Sequence, residues 1–346
     1  MGRDILCIAL LVVVVLAAPL GGPSPYFLVT PGGAYDIGSR VRVPDERRKP
    51  MGRLAFTAVY ELESTWLEVI RARVRDEAAD VVPAAEVRPP GTTQQQVNET
   101  NKRLIDESKP VAAVVALRAA GYDVAIAGAG AEVQSLLSGM PADGVLRPGD
   151  IVVAVDDQPT PTTSTLQDAI RRRRPGDQVR LSFLREGQQQ EAVLTTRESP
   201  TEPGRPLVGV TISTYLFDVR LPFPVDVDSD NVGGPSAGFM FALGILDAVT
   251  AGDLTRGYYV AGTGTITQDG VVGPVGAAAE KAVAAEQDGA QVFLVPKDNY
   301  TDAQRLVHTM RVVPVDRFDD AVRFLCGLDP LPSAASPELP PVCAQY

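Results

Sequence analysis

The hydrophobic pattern divides the chain into stretches of different period. Ile5 through Leu20 is an unbroken run of apolar and small residues, preceded by Arg3. With the apolar residues of Gly21 to Val29 added, the run approaches the ~20 residues that span a bilayer. It predicts an N-terminal transmembrane helix over 1–23, with a cleaved signal peptide as the alternative, since Val15-Leu16-Ala17 is a passable cleavage site. Arg3 on the inner side would leave the rest of the chain outside the cytoplasm. Tyr26 to Thr30, Ser39 to Val43 and Gly52 to Tyr60 alternate and predict short strands, with a Pro-Gly-Gly turn at 31–33. Gln94 to Ala120 reads as one helix, mixed in charge at first and apolar from Val111 except for Arg118.

From Tyr122 to Arg197 the pattern is that of a compact β-rich unit. A Pro-Gly-Asp turn at 148–150 feeds a buried strand, Ile151 to Val155. Ser164-Thr165-Leu166-Gln167 predicts a capping box opening a short helix. That helix ends in Arg171 to Arg174, where cations complement the helix dipole. Two alternating strands follow, Val179 to Leu184 and Glu191 to Thr196. Val208 to Thr214 and Val225 to Val227 predict strands, and Phe239 to Val249 an apolar helix. The last third alternates strand and helix: Gln291 to Pro296, Asp302 to Val307, Arg311 to Val315, Phe318 to Cys326. The Pro-rich tail from Asp329 predicts extended or disordered chain.

Composition narrows the function. A chain of 346 residues suggests two or three domains, and a net charge of −11 argues against nucleic acid as a partner. The only histidine is His308, which argues against a His-ligated metal site or a Ser–His–Asp triad. No Gly-x-x-x-x-Gly-Lys-Ser/Thr phosphate loop occurs. Cys326 and Cys343 form a disulfide in an oxidising compartment, or else a buried thiol and a free one in the tail.

Two stretches carry candidate chemistry. Val232-Gly233-Gly234-Pro235-Ser236-Ala237-Gly238 places one serine at the start of the apolar helix. A serine there is either an N-cap or a nucleophile among unpaired N–H groups that hold an oxyanion. The chain has 27 arginines and only five lysines, and one of these, Lys281, follows Gly273-Pro274-Val275-Gly276-Ala277-Ala278-Ala279-Glu280. Its helical neighbours at three and four positions are Ala277, Ala278, Ala284 and Ala285. Such a face leaves an ammonium poorly solvated, which lowers its pKa and makes the neutral amine a general base. The alternative is a lysine snorkelling from an alanine-rich helix.

Together these segments resemble the proteolytic domain of Lon-type proteases, which use a Ser–Lys dyad. Gly234 to Gly238 matches the nucleophile motif; Thr263-Gly264-Thr265-Ile266-Thr267 with Gly270 to Gly276 and Glu280-Lys281 matches the strand–turn–helix that carries the lysine. The resemblance implies Ser236 as nucleophile and Lys281 as base, with Thr263 near the lysine and Gly233 and Gly234 supporting the turn. Two positions depart from the pattern. Gly233 stands where ATP-dependent members often carry an acid, and Ala277 replaces a second glycine, which should alter packing only. The unit from Tyr122 is similar to bacterial PDZ domains, which bind an extended C-terminus by strand addition; Ala125 to Gly130 would then cradle the ligand.

The order of segments resembles the membrane-anchored, PDZ-containing Lon-like proteases of Gram-positive bacteria, including actinobacteria. The fold class this implies is α+β multidomain: anchor over 1–23, N-terminal α+β region over 24–121, PDZ domain over 122–198, Lon-type domain over 205–328 and tail over 329–346. The implied activity is ATP-independent cleavage of protein or peptide substrates at the outer side of the cell membrane, without cofactor or metal, and hexameric rings are the family expectation. The alternative is a membrane-tethered PDZ scaffold whose Lon-like domain is latent or inactive.

Overall fold

The computed structural model describes residues 21–46, 52–75, 78–89, 91–127, 129–199, 204–215, 218–331 and 339–345. They form two compact units, one of which is split in sequence. It runs up to Asp123 and resumes at Phe223, while Val124–Pro222 form the other. The stretch 24–121, expected as a leading region, therefore shares a unit with everything from Phe223 on, and residues 205–222 belong to the inserted unit.

The reason lies in strand pairing. β1 (Pro23–Asp36) and β2 (Arg53–Thr65) are long antiparallel partners, with Phe27 opposite Glu63 and Asp36 opposite Ala55. The Pro-Gly-Gly stretch is not a turn. β1 runs through it with a register shift between Pro31 and Ala34, and a Cβ on Gly32 would lie 2.5 Å from the Ala58 carbonyl oxygen. Only a glycine allows that approach, so the turn signal marks a bulge. α1 (Trp66–Arg75), a helix not expected from the sequence, leads to β3 (Asp80–Pro83), which pairs with the other edge of β1. α2 (Gln94–Ala119) opens with a capping box between Thr93 and Gln96 and buries its apolar second half.

The inserted unit is an antiparallel sheet over its own core. Its elements are β4 (Gly130–Leu136), β5 (Ile151–Val155), α3 (Thr163–Arg171), β6 (Gln178–Arg185), β7 (Gln188–Thr195) and β8 (Val210–Tyr215). The sheet order is β7-β6-β5-β4-β8, which leaves β8 on an edge. Val133, Val152, Leu166, Leu181, Phe183 and Leu194 fill the core. The cap of α3 is Thr162, paired with Thr165, two residues before the predicted Ser164.

The split unit then resumes with α4 (Gly238–Val249), β9 (Tyr259–Gly262), α5 (Ala278–Gln287), β10 (Val292–Pro296), β11 (Arg311–Val315) and α6 (Phe318–Cys326). Strand β9 pairs in parallel with β10 on one side and with β2 on the other, giving the order β11-β10-β9-β2-β1-β3. The early hairpin and the late strands thus share one sheet, the one against which α5 packs. All twelve residues of α4 are buried, as expected of a helix apolar on every side, and α2 lies along it.

Cys326 and Cys343 form a disulfide with their Cα atoms 5.5 Å apart. It ties the end of α6 to a 3-10 turn, Pro341–Gln345, in which Val342 is buried, so this part of the expected loose tail is packed. Among the described residues no helix is long and apolar enough to cross a membrane. The expected transmembrane run, Ile5 to Leu20, lies outside the described residues.

Candidate active site

Ser236 occupies a single 3-10 turn, Pro235–Ala237, that feeds α4. The turn needs Gly234, whose φ of 86° is in the left-handed region. Ser236 does not cap the helix: the N-cap position of α4 is Ala237, and no side chain caps it. Its carbonyl oxygen instead accepts bonds from the Gly264 N–H (2.8 Å) and the Thr263 hydroxyl (3.1 Å), and the Phe239 N–H donates back to Gly264 O (3.1 Å). The end of β9 and the start of α4 therefore fix each other.

Lys281 lies on α5 with its side chain 5% exposed, and its Nζ donates to Ser236 Oγ at 3.0 Å. The alanines on its face do what the sequence suggested. Ala278, Ala284 and Ala285 are all buried, and the helix packs on Ala55, Ala261 and Phe293 of the sheet. Burial disfavours the ammonium and lowers the Lys281 pKa to about 8; the charges of Glu61 and Glu280 oppose that shift. When the amine is neutral the polarity of the bond reverses, and Ser236 Oγ–H can donate to Nζ.

The neighbouring Glu280 is itself buried, 3% exposed, and burial raises its pKa. Of the two opposing influences that of Glu61, on β2, is the larger, and this residue was not singled out from the sequence. No local signal marks it, because its approach to Lys281 follows from the packing of α5 on β1 and β2.

The structure adds detail at three positions of the motifs. The Thr263 hydroxyl, expected near the lysine, donates to the carbonyl oxygen of Ser236. The Gly234 N–H donates to Asn101 O of α2 at 2.8 Å, so this amide is not free for a substrate oxyanion. Ala277, expected to alter packing only, is the N-cap of α5 with φ 56° and ψ 44°. It holds a left-handed conformation that costs an L-residue roughly 1–2 kcal/mol.

In the inserted unit a groove of about 110 Å³ runs between α3 and the edge strand β8. Leu166 and Ile170 line one side, Leu207, Val208, Gly209 and Val210 the other. No described side chain of the stretch Ala125 to Gly130, expected as the ligand cradle, is among those that line it. The groove uses residues beyond Arg197, after the unit delimited from the sequence pattern.

Residues 224–326 match the model of the Lon protease (S16) C-terminal proteolytic domain, and residues 96–196 match the model of the PDZ domain. The second match begins within α2, which packs with the split unit. The chain is 33% identical over 103 residues to the Lon protease of Chloroflexus aggregans, covering 29% of this chain and 12% of that one. Over 106 residues it is 30% identical to Lon protease 2 of Bacillus subtilis, covering 31% and 18%. The matched part therefore spans less than a fifth of these relatives. Among solved structures, the PDZ domain of an SdrC-like protein of Listeria monocytogenes is 24% identical with a TM-score of 0.23, covering 24% of this chain and 87% of that one. A protein of Geobacillus thermodenitrificans is 39% identical with a TM-score of 0.22, covering 24% and 94%. The hydrogen-bonded serine and lysine thus lie in a segment that matches the Lon C-terminal proteolytic domain, in a chain that also matches the PDZ domain model.

Proposed function

We propose that the protein is an ATP-independent serine endopeptidase in which Ser236 is the nucleophile and Lys281 the general base. The observation that carries the reading is the 3.0 Å contact of Nζ with Oγ, made by a buried lysine whose pKa is lowered to about 8. In the proposed reaction neutral Lys281 accepts the Ser236 proton as Oγ attacks a peptide carbonyl. The Ser236 N–H holds the oxyanion as the tetrahedral intermediate forms. Protonated Lys281 then gives its proton to the departing amine, and water attacks the acyl-enzyme with Lys281 again as base. Thr263 keeps the Ser236 backbone in place.

The groove beside β8 supports a recruiting or gating role for the inserted unit. An edge strand with an apolar wall opposite accepts an extended peptide as an added strand, and aliphatic side chains fit Leu166 and Ile170. The disulfide supports a site of action outside the cytoplasm, where thiols are not kept reduced. The apolar run Ile5 to Leu20 supports a single membrane anchor. A homo-oligomeric ring, the family expectation, completes the reading.

A second reading, a tethered scaffold with a latent site, is favoured by one observation: the Gly234 amide is already bonded to Asn101. One experiment separates the two. Wild type, Ser236→Ala and Lys281→Ala are incubated with an unfolded protein, without ATP, at neutral and mildly alkaline pH. Cleavage by wild type, with a loss of about 10³-fold or more in either variant, is the expected result. No cleavage by any of them would favour the latent scaffold, and equal cleavage by all three would remove Ser236 and Lys281 from the mechanism.

A further inference from the structure

The helix α1 has an exposed face that the fold engages through Trp66, whose ring meets that of Tyr26 edge to face with centroids 6.0 Å apart. With 3.6 residues per turn its side chains divide into three sectors. Val69 and Ala72 are buried, 5% and 6% exposed, and hold the helix on the protein. A different sector carries Trp66, Leu67, Ile70 and Val74, which are 40%, 43%, 45% and 74% exposed. These four fall within about 100° of arc. Arg71 and Arg73, both exposed, flank the stripe on either side. The one acid of the helix, Glu68, is committed to its N-terminus, where it accepts from the Thr65 N–H (2.7 Å) and hydroxyl (2.8 Å). Outward apolar residues with a tryptophan at one end and arginines along the borders are the composition of a helix that lies in a bilayer interface.

Position selects the bilayer as occupant. The Trp66 N–H donates to Gly22 O at 3.3 Å, and Pro23 is opposite Thr65. The start of α1 is therefore pinned beside the residue that lies two positions after the apolar run Ile5 to Leu20. Two extended residues span at most ~7 Å. A chain anchored through that run would hold α1 at the membrane surface, where a weak interfacial preference is enough. A second copy of the chain fits less well: the stripe from Trp66 to Val74 is ~12 Å long, too short for the area a stable dimer buries.

We propose that α1 is a membrane-surface element, with Trp66, Leu67, Ile70 and Val74 among the headgroups of an anionic bilayer and Arg71 and Arg73 facing lipid phosphates. The proposal rests on the reading of the N-terminal run as an anchor, and its test keeps the two apart. Trp66 is the only tryptophan of the chain. The full chain is reconstituted into vesicles of phosphatidylcholine with phosphatidylglycerol, some containing lipid brominated near the headgroup. Flotation reports the anchor, and Trp66 quenching reports α1. The expected result is flotation of every variant, with Trp66 quenched several-fold more in wild type than in the triple variant Leu67→Ser, Ile70→Ser, Val74→Ser. Arg71→Glu with Arg73→Glu should weaken quenching in anionic vesicles and leave it unchanged in neutral ones, an arm that does not depend on the serine variant folding. A chain that floats with unquenched Trp66 overturns the α1 proposal and leaves the anchor standing. A chain that does not float overturns both. A concentration-dependent shift of Trp66 emission in detergent, without lipid, assigns the stripe to a second copy and overturns the proposal.

Discussion

At the scale of residues, the site is an amine held short of water. For a group whose pKa is lowered from 10.5 to about 8, the neutral form gains about tenfold per pH unit up to pH 8. With chemistry limiting, kcat/KM should rise accordingly and level above that value. Glu61 opposes the shift, so Glu61→Gln should move the acid limb of the profile to lower pH by a few tenths of a unit, with little change in the plateau. An unmoved limb would show that the charge is screened. Ala277 offers a second test. Its left-handed backbone predicts that Ala277→Gly stabilises the fold by about 1 kcal/mol, read from the urea midpoint. A loss of stability would mean that its methyl group packs usefully.

At the scale of elements, connections between neighbours are often single side chains. Glu286, in the last turn of α5, accepts from the backbone N–H groups of His308, Thr309 and Met310, the residues that lead into β11. Those bonds and the one from the Thr309 hydroxyl hold its pKa at about 2, against an ordinary 4.5, although burial works the other way. The stability it contributes is present above pH 4.5 and is lost as pH falls toward 2. The difference in urea midpoint between wild type and Glu286→Gln should therefore be constant near neutrality and shrink below pH 4.5. Most elements were legible because their period and their environment agree. Phe318 to Cys326 and Arg311 to Val315 have the predicted bounds, and the sequence motifs single out both Ser236 and Lys281. What was not legible depends on partners far away in sequence. α1 carries apolar residues on two sectors, which blurs its period, and the bulge at Gly32 looks like a turn until Ala58 is seen across from it. The contact of Asn101 with Gly234 likewise joins residues with the whole inserted unit between them.

At the scale of the whole molecule, the inserted unit enters and leaves through neighbouring points. Ala125–Ala127 pairs with Asp218–Arg220, and the rings of Tyr122 and Phe223 meet edge to face with centroids 5.2 Å apart. Replacing 124–222 by two or three glycines should leave the split unit folded, because its closing residues are already in contact. Such a chain should keep wild-type turnover of a short peptide and lose any preference among protein substrates. Loss of folding would mean that the insertion carries part of the stability of its host. The same arrangement sets a timetable for synthesis. β2 is made within the first 65 residues, yet its parallel partner β9 is not complete until Gly262. A chain that emerges from its N-terminus first must carry that open strand edge while the inserted unit, whose contacts are its own, folds ahead of it. Ser236 and Lys281 both follow the inserted unit, so a chain interrupted anywhere in its first two-thirds has neither of them. On the proposed reading, then, no product truncated before Lys281 can cleave anything that surrounds it.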